Sequence, residues 1–382
     1  MDQNLMTQTQ LRTAASTHTD PQAAARDLVE QLGAVDPAAV LFFASPALPG
    51  AAIAQALTDR FPAAPVIGCT SAGEFTERGT STGGVCAVVL PRGVVRRAAA
   101  ALARLDTDLD TAVAGALSEV ERQLHVSLRD ADPTRYIGLV LIDGLHGSEE
   151  RVNEVLGNHA PLMSFVGGSA GDDLAFTTTR VHCGADASDH GAALLVLDVA
   201  VPFTVLKTCS FTPAGTSFTI TDADVANRIV WQLDGRPAAE AYAAAVGQPV
   251  QALDSTVFMA HPLGLMIDGQ PWIRSPQQVI DGRGIKFYCQ ILPGMEVSLM
   301  RATDLVGDTR TALRKAATDV GGAVSGAVMF NCILRRLELD ANNQHPEFIA
   351  ALDGAPAAGF HTYGESWLGH INQTLTAILF GH

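Results

Sequence analysis

The chain is poor in the features that assign a chemistry at sight. Its six cysteines fall singly, at Cys69, Cys86, Cys183, Cys209, Cys289 and Cys332, with no CxxC pair, which removes the usual zinc and dithiol motifs. Most lie inside apolar strand-like runs, as buried reduced thiols do, and this suits a reducing compartment. None of the eleven histidines belongs to HExxH, HxH or CxxCH, so spacing supports neither structural zinc nor covalent haem. Basic residues are scarce: 25 Lys and Arg against 40 Asp and Glu give a formal net charge of −15. That charge opposes non-specific attraction to nucleic-acid phosphates and anionic lipid, so no nucleic-acid partner is expected. Long apolar runs are missing as well. The opening MDQNLMTQTQLRTAASTHTD has no apolar core of signal-peptide length, and no later stretch reaches the roughly 18 apolar residues of a membrane-spanning helix. The expectation is a cytoplasmic, soluble protein with no membrane partner.

What is present is a patterned core. With 382 residues, 47% of them hydrophobic, the chain can fill two ordinary domains or one large one. Residues 1–20 are polar and aperiodic and read as a flexible tail. Asp20-Pro21, an N-cap before the favoured first helical residue, opens a helix over 21–33. Strand 39–45, helix 51–61 and strands 65–69 and 84–90 follow. The order then returns as helix 109–126, strand 136–144, helix 148–160 and strand 191–199. AVLFFAS against YIGLVLI, and VIGCTSAGE against FVGGSAGD, both pair at an offset of about one hundred residues, which predicts an internal duplication. From about residue 203 short strands broken by turns take over. Asp234-Gly235 is a tight-turn pair before a helix from Pro237, followed by a helix over 308–317, a strand over 325–336 and closing strands around AAGFHTYGESW and NQTLTAILF. The fold class is α/β, α+β in the C-terminal half: a duplicated strand–helix module, then a second mixed α/β domain.

The candidate sites are loops. VIGCTSAGEF (66–75) and SFVGGSAGDD (164–173) resemble phosphate cradles, but no Lys follows either cluster and no amphipathic helix follows Gly73. Two readings stay open: tight turns in which the glycines are structural, and a polar rim at strand ends that leaves Ser71, Glu74, Ser169 and Asp172 to face a ligand. In IDGLHGSEE (142–150), Ser148 and the acids after it read as a helix N-cap; Asp143 is left as a rim residue, and a metal reading lacks a second histidine at ligand spacing. His261, in the apolar run FMAHPLGLM, needs a partner if buried, either a backbone carbonyl or a cofactor iron. A buried Arg335 in FNCILRR needs a carboxylate such as Glu365 or the acidic group of a ligand.

Several of these motifs, taken in order, resemble one family. VIGCTSAGEF, YIGLVLIDGLHGSEE, SFVGGSAGDD, DGRPAAEAY, HPLGL, WIRSP, FNCILRR and GFHTYGE with HINQT are similar to the FIST family, with an N-terminal and a C-terminal module in tandem from about residue 36 onward. The resemblance implies residues 21–223 as a FIST N-type sensor domain with the internal duplication and 224–382 as a FIST C-type domain. It implies a sensory role without catalysis, coupled to a separate histidine kinase or other signalling enzyme; self-association as a homodimer is an arrangement it allows. Stand-alone members resemble bacterial nitric-oxide-sensing proteins that carry haem b on a histidine, which here points first to His261 and then to His361 and His370. A small polar ligand such as an amino acid, held by Ser71, Glu74, Asp143, Ser169, Asp172 and Arg335, is the alternative to a diatomic gas on haem. A hydrolase using the Ser-Ala-Gly loops is the rival of another class.

Overall fold

PAAVLFFA (37–44) is apolar on both faces, and such a run forms a strand covered on both sides. In the computed structural model, which describes residues 8–382, that strand is the centre of the first of three like-built modules. In chain order the first module runs β1 (Arg12–Ser16), α1 (Pro21–Leu32), β2 (Pro37–Ala44), α2 (Gly50–Arg60), β3 (Val66–Thr70), β4 (Glu74–Thr76), β5 (Gly79–Ser81) and β6 (Val85–Pro91). The second repeats the order with β7 (Val95–Arg104), α3 (Leu109–Leu124), β8 (Tyr136–Ile142), α4 (Glu149–His159), β9 (Phe165–Ser169), β10 (Val181–Cys183), β11 (Asp186–Ser188) and β12 (Gly191–Val199). The third opens with β13 (Phe203–Cys209) and breaks off.

An insertion follows. It holds β14 (Phe211–Asp224), β15 (Ile229–Leu233), β16 (Arg236–Pro237), α5 (Ala238–Val246), α6 (Ser255–Ala260), β17 (Leu263–Ile267), β18 (Gln270–Arg274), β19 (Pro276–Ile280), β20 (Gly284–Phe287) and β21 (Glu296–Ala302). The third module then resumes as α7 (Leu305–Asp319), β22 (Val324–Cys332), α8 (Ile333–Asn342), α9 (His345–Ala350), β23 (Ala357–Thr362), β24 (Glu365–Trp367), β25 (His370–Ile371) and β26 (Thr374–Gly381).

The modules show their kinship in sheet order. The first sheet runs β1-β6-β2-β3-β10-β11, the second β7-β12-β8-β9-β24 and the third β13-β26-β22-β23-β4-β5. In each the central pair is parallel (β2 with β3, β8 with β9, β22 with β23) and joined by a helical crossover, as a parallel pair requires. Antiparallel partners flank each pair: β6 and β10, β12 and β24, β26 and β4. Each module gives the strand after its central pair to another module's sheet: β4 goes to the third, β10 to the first and β24 to the second. One apolar cluster draws on all three sheets, with Phe43 stacked on Phe360 at 4.6 Å and meeting Phe330 edge-on. The alternate residues Val40 and Phe42 turn to the other face and pack with α1 and α2.

The chain divides into two compact units. One takes residues 1–207, 310–369 and 375–382, the other 208–309 and 370–374. No cut at residue 223 separates them, because the third module returns to the first unit after the insertion. Within the second unit the strands form an antiparallel sheet, β18-β17-β21-β14-β15-β20-β19, over a core that includes Tyr242, Phe258 and Phe287. Asp234 and Gly235, both at positive φ (51° and 74°), make the expected two-residue turn.

Three expectations are corrected. Residues 12–16 are a strand paired with β6 rather than tail; Ala14 is fully buried, but alanine gives too weak an alternation to mark a strand. Residues 1–7, the rest of that tail, lie outside the described residues. The strand expected over 325–336 stops at Cys332, and Ile333–Arg336 open helix α8, whose Ile333, Leu334, Arg335 and Leu339 are buried. The duplication is one part of a threefold repeat, whose last copy the insertion hides.

Candidate functional site

Each central pair ends in the same four-residue pattern. β3 leads into Ser71-Ala72-Gly73-Glu74, β9 into Ser169-Ala170-Gly171-Asp172 and β23 into Thr362-Tyr363-Gly364-Glu365. The hydroxyl and the acid of all three patterns are buried. The three loops meet. Gly171 N–H donates to the Thr70 carbonyl at 3.0 Å, Ala72 N–H to His361 at 3.0 Å, His361 N–H to Gly73 at 2.8 Å, and Ser169 N–H to Gly364 at 2.8 Å. Two glycines are needed here. Gly73 has φ +101°, and a Cβ on Gly171 would come within 2.9 Å of both Cβ and N of Ala72. We call this junction the hub.

The acids of the first two loops have opposite surroundings. Glu74 is fully buried; Ser71 Oγ donates to Oε1 and Ser81 Oγ to Oε2, the latter at 3.0 Å, and the Gly84 backbone also bonds to it. Burial outweighs these bonds and pushes its pKa up to about 8 from 4.5. Asp172, also closed to solvent but less deeply set, accepts from the backbone N–H groups of Phe176, Thr177 and Thr178 at 2.9, 2.6 and 2.9 Å and from the Tyr363 hydroxyl at 2.5 Å. Burial alone would raise its pKa; these donors reverse the shift and hold it below the ordinary carboxyl value. The loop wrapped around Asp172 carries Asp173, Leu174 and Phe176 at positive φ, an arrangement that costs energy in non-glycine residues. Phe176, half exposed, stacks on Tyr363 at 5.0 Å, and Asp173 accepts from Ser45 Oγ at 2.7 Å.

The third module adds nitrogen donors. Arg335, fully buried, donates from Nε to Asn331 Oδ1 at 2.8 Å, and Arg336 donates to the Ala72 carbonyl at 2.8 Å. Asn331 Nδ2 lies 3.0 Å from His361 Nδ1. The His361 ring is buried between Phe75 and His345, its pKa well below the usual histidine value because burial disfavours the cation. Its Nε2 has no partner among the described residues.

The hub thus brings together Ser71, Glu74, Ser169 and Asp172, with Arg336 reaching the first loop. Ser169 Oγ donates to the carboxylate of Glu149 at 3.2 Å. Asp143 lies at the end of β8, bonded to Thr179 and His146. His261 is elsewhere, in the second unit: it ends the short helix α6, is only partly buried, and its carbonyl accepts from Tyr242 Oη at 2.6 Å. The apolar run around it thus forms a helix end and the start of β17. His370, also in the second unit, is buried with Nδ1 unpartnered among the described residues.

Haem makes demands that can be compared with these residues. His361 offers a neutral ring with an orphaned nitrogen, as an axial ligand must. The space does not fit: Phe75 lies 5.2 Å from the ring, and even a Cβ on Gly73 would come within 3.1 Å of it. A macrocycle on this side requires the hub to open.

Residues without a signal in single motifs are Ser45, Ser81, Asp173 and Thr179. The third loop had a signal, Ser/Thr-x-Gly-acid after an apolar strand, displaced by the length of the insertion. Residues 38–236 match the family model described as the FIST N domain, and residues 238–367 match that of the FIST C domain. No curated protein matches the chain.

Proposed function

Because the chain belongs to the FIST family, whose domains are sensors in signal transduction, we propose that it senses a small polar ligand at the hub and reports occupancy to a separate signalling enzyme. The observation that carries this reading is the meeting of loops from three modules around a buried acid that burial keeps protonated, Glu74, and one that hydrogen bonds keep charged, Asp172. An amino acid matches such a set, its ammonium toward Asp172 and its carboxylate toward Arg335 or Arg336. The strained loop after Asp172 is the part whose rearrangement admits it. Signalling is then differential binding: the ligand favours one arrangement of the loops, and the partner, for which a histidine kinase is the family's suggestion, binds the two arrangements unequally. The cytoplasm is the compartment that fits this role.

Thermal unfolding against a panel of amino acids and related metabolites tests the reading, since a ligand of the native state raises the midpoint. A stabilising ligand whose effect falls in Glu74→Gln or Arg336→Gln is the expected result. A ligand whose effect survives both variants, or no stabilising ligand, contradicts it. Turnover of a generic ester that Ser169→Ala abolishes would favour the hydrolase instead.

A second reading, haem b sensing nitric oxide, has the orphaned Nε2 of His361 in its favour and the closed space around that ring against it. Its test is the visible absorption spectrum of protein purified from haem-supplemented cells. A haem band lost in His361→Ala supports it; a spectrum without haem at any loading removes it.

A further inference from the structure

A second cluster lies at the end of the second module's sheet. Strand β8 ends at Ile142, whose antiparallel partner in β12 is Ala192, and Asp143 N–H donates to the Gly191 carbonyl at 2.9 Å. That register sets Asp143 beside His190, the residue before Gly191, although the two are far apart in sequence. Gly147, at φ +68°, turns the chain after His146. The rings of His146 and His190 stack with centroids 4.1 Å apart, and His146 Nδ1 lies 2.7 Å from Asp143 Oδ2. One ligand atom from each of Asp143, His146 and His190 falls within 4.8 Å of the other two.

We propose that Asp143, His146 and His190 form a binding site for a divalent transition ion of the zinc class. Two imidazoles and a carboxylate are the donor set that such ions take, with a fourth position left for water. Ligands on a tetrahedral ion with bonds of about 2.0–2.1 Å stand about 3.3 Å apart, so the cluster must adjust, the 2.7 Å contact of His146 with Asp143 opening and wider separations closing. It can, because its parts differ in freedom. Asp143 is fully buried, and its Oδ1 is fixed by Thr179 Oγ1 at 2.7 Å and Leu145 N–H at 3.0 Å. That leaves Oδ2 facing the rings. His146, with its side chain about half exposed, is free to adjust. Ser148 Oγ, 3.3 Å from His190 Nε2, steadies the second ring.

This site is independent of the hub reading and stands or falls by its own measurement. Full-length protein freed of any histidine tag and treated with chelator is titrated with Co²⁺, and the Co²⁺ is then displaced with Zn²⁺. The expected result is one ion per chain with a four-coordinate Co²⁺ spectrum, and at least about tenfold weaker binding in His146→Ala and in His190→Ala. Both variants should unfold at the parent's temperature without metal, since the two rings are not core. His159→Ala, a histidine outside the cluster, should bind as the parent does. The absence of saturable one-to-one binding overturns the site, as does binding that both variants leave unchanged or that His159→Ala weakens equally.

Discussion

Glu74 and Asp172 occupy the same place in two modules, each one residue past a glycine in the loop after a buried strand, and the fold treats them oppositely. Both are closed to solvent, Glu74 the more deeply. The donors differ as well: two hydroxyls and the Gly84 backbone for Glu74, three backbone N–H groups and a phenol for Asp172. A hydroxyl both gives and accepts, so it tolerates a neutral acid; a converging set of N–H groups can only give, and it selects the anion. A repeated backbone thus yields two electrostatic states from the few residues that surround the acid.

The comparison is broken most severely at Asp172. Asp172→Asn places an amide where every neighbour donates, and we expect a loss of about 2–4 kcal/mol in chemical denaturation at neutral pH. Next comes Gly171→Ala, which presses a methyl against Ala72; a loss of about 1–3 kcal/mol is expected by the same assay, as for overpacking elsewhere. Tyr363→Phe removes the phenol that donates to Asp172 and accepts from Leu174 N–H at 2.9 Å, at a cost of about 1–2 kcal/mol. Glu74→Gln should be the mildest at pH 6, below about 1 kcal/mol, because glutamine resembles the neutral acid already present.

The pH dependence separates the two acids further. A carboxyl whose pKa folding raises is protonated in the native state and ionised in the unfolded one between the two values. Raising pH through the window from 4.5 to about 8 therefore destabilises the fold through Glu74, at up to about 1.4 kcal/mol per pH unit. Asp172, held below its ordinary value, stabilises the fold above that value and loses this contribution only as pH falls through its lowered pKa. Denaturation at pH 5, 6 and 7 should show stability falling with pH in the parent, with a flatter profile in Glu74→Gln. A parent profile as flat as the variant's would contradict the assignment.

How much of this the sequence carried depends on the range over which each signal acts. Helices α1 to α4 and strands β2, β3, β6 and β8 were legible, since caps and apolar periodicity are local. The pairing of VIGCTSAGEF with SFVGGSAGDD was legible as a repeat. That the two loops touch was not, because contact depends on how sheets exchange strands. The third loop went unread because the inserted unit separates it from the others and Tyr363 replaces the alanine. IDGLHGSEE lacked a second histidine by spacing; antiparallel register supplied His190, which no local pattern announces. His261 drew attention by its apolar neighbours, yet those neighbours build a helix and the start of β17, leaving the histidine at the helix end.

The most direct test is to titrate the side-chain carboxyl carbons of Glu74 and Asp172 by NMR in the folded protein, assigned with Glu74→Gln and Asp172→Asn. We predict a midpoint near 8 for Glu74 and one below the ordinary aspartate value of 3.8 for Asp172. Midpoints that coincide in the ordinary carboxyl range would show that the two loops do not differ as described.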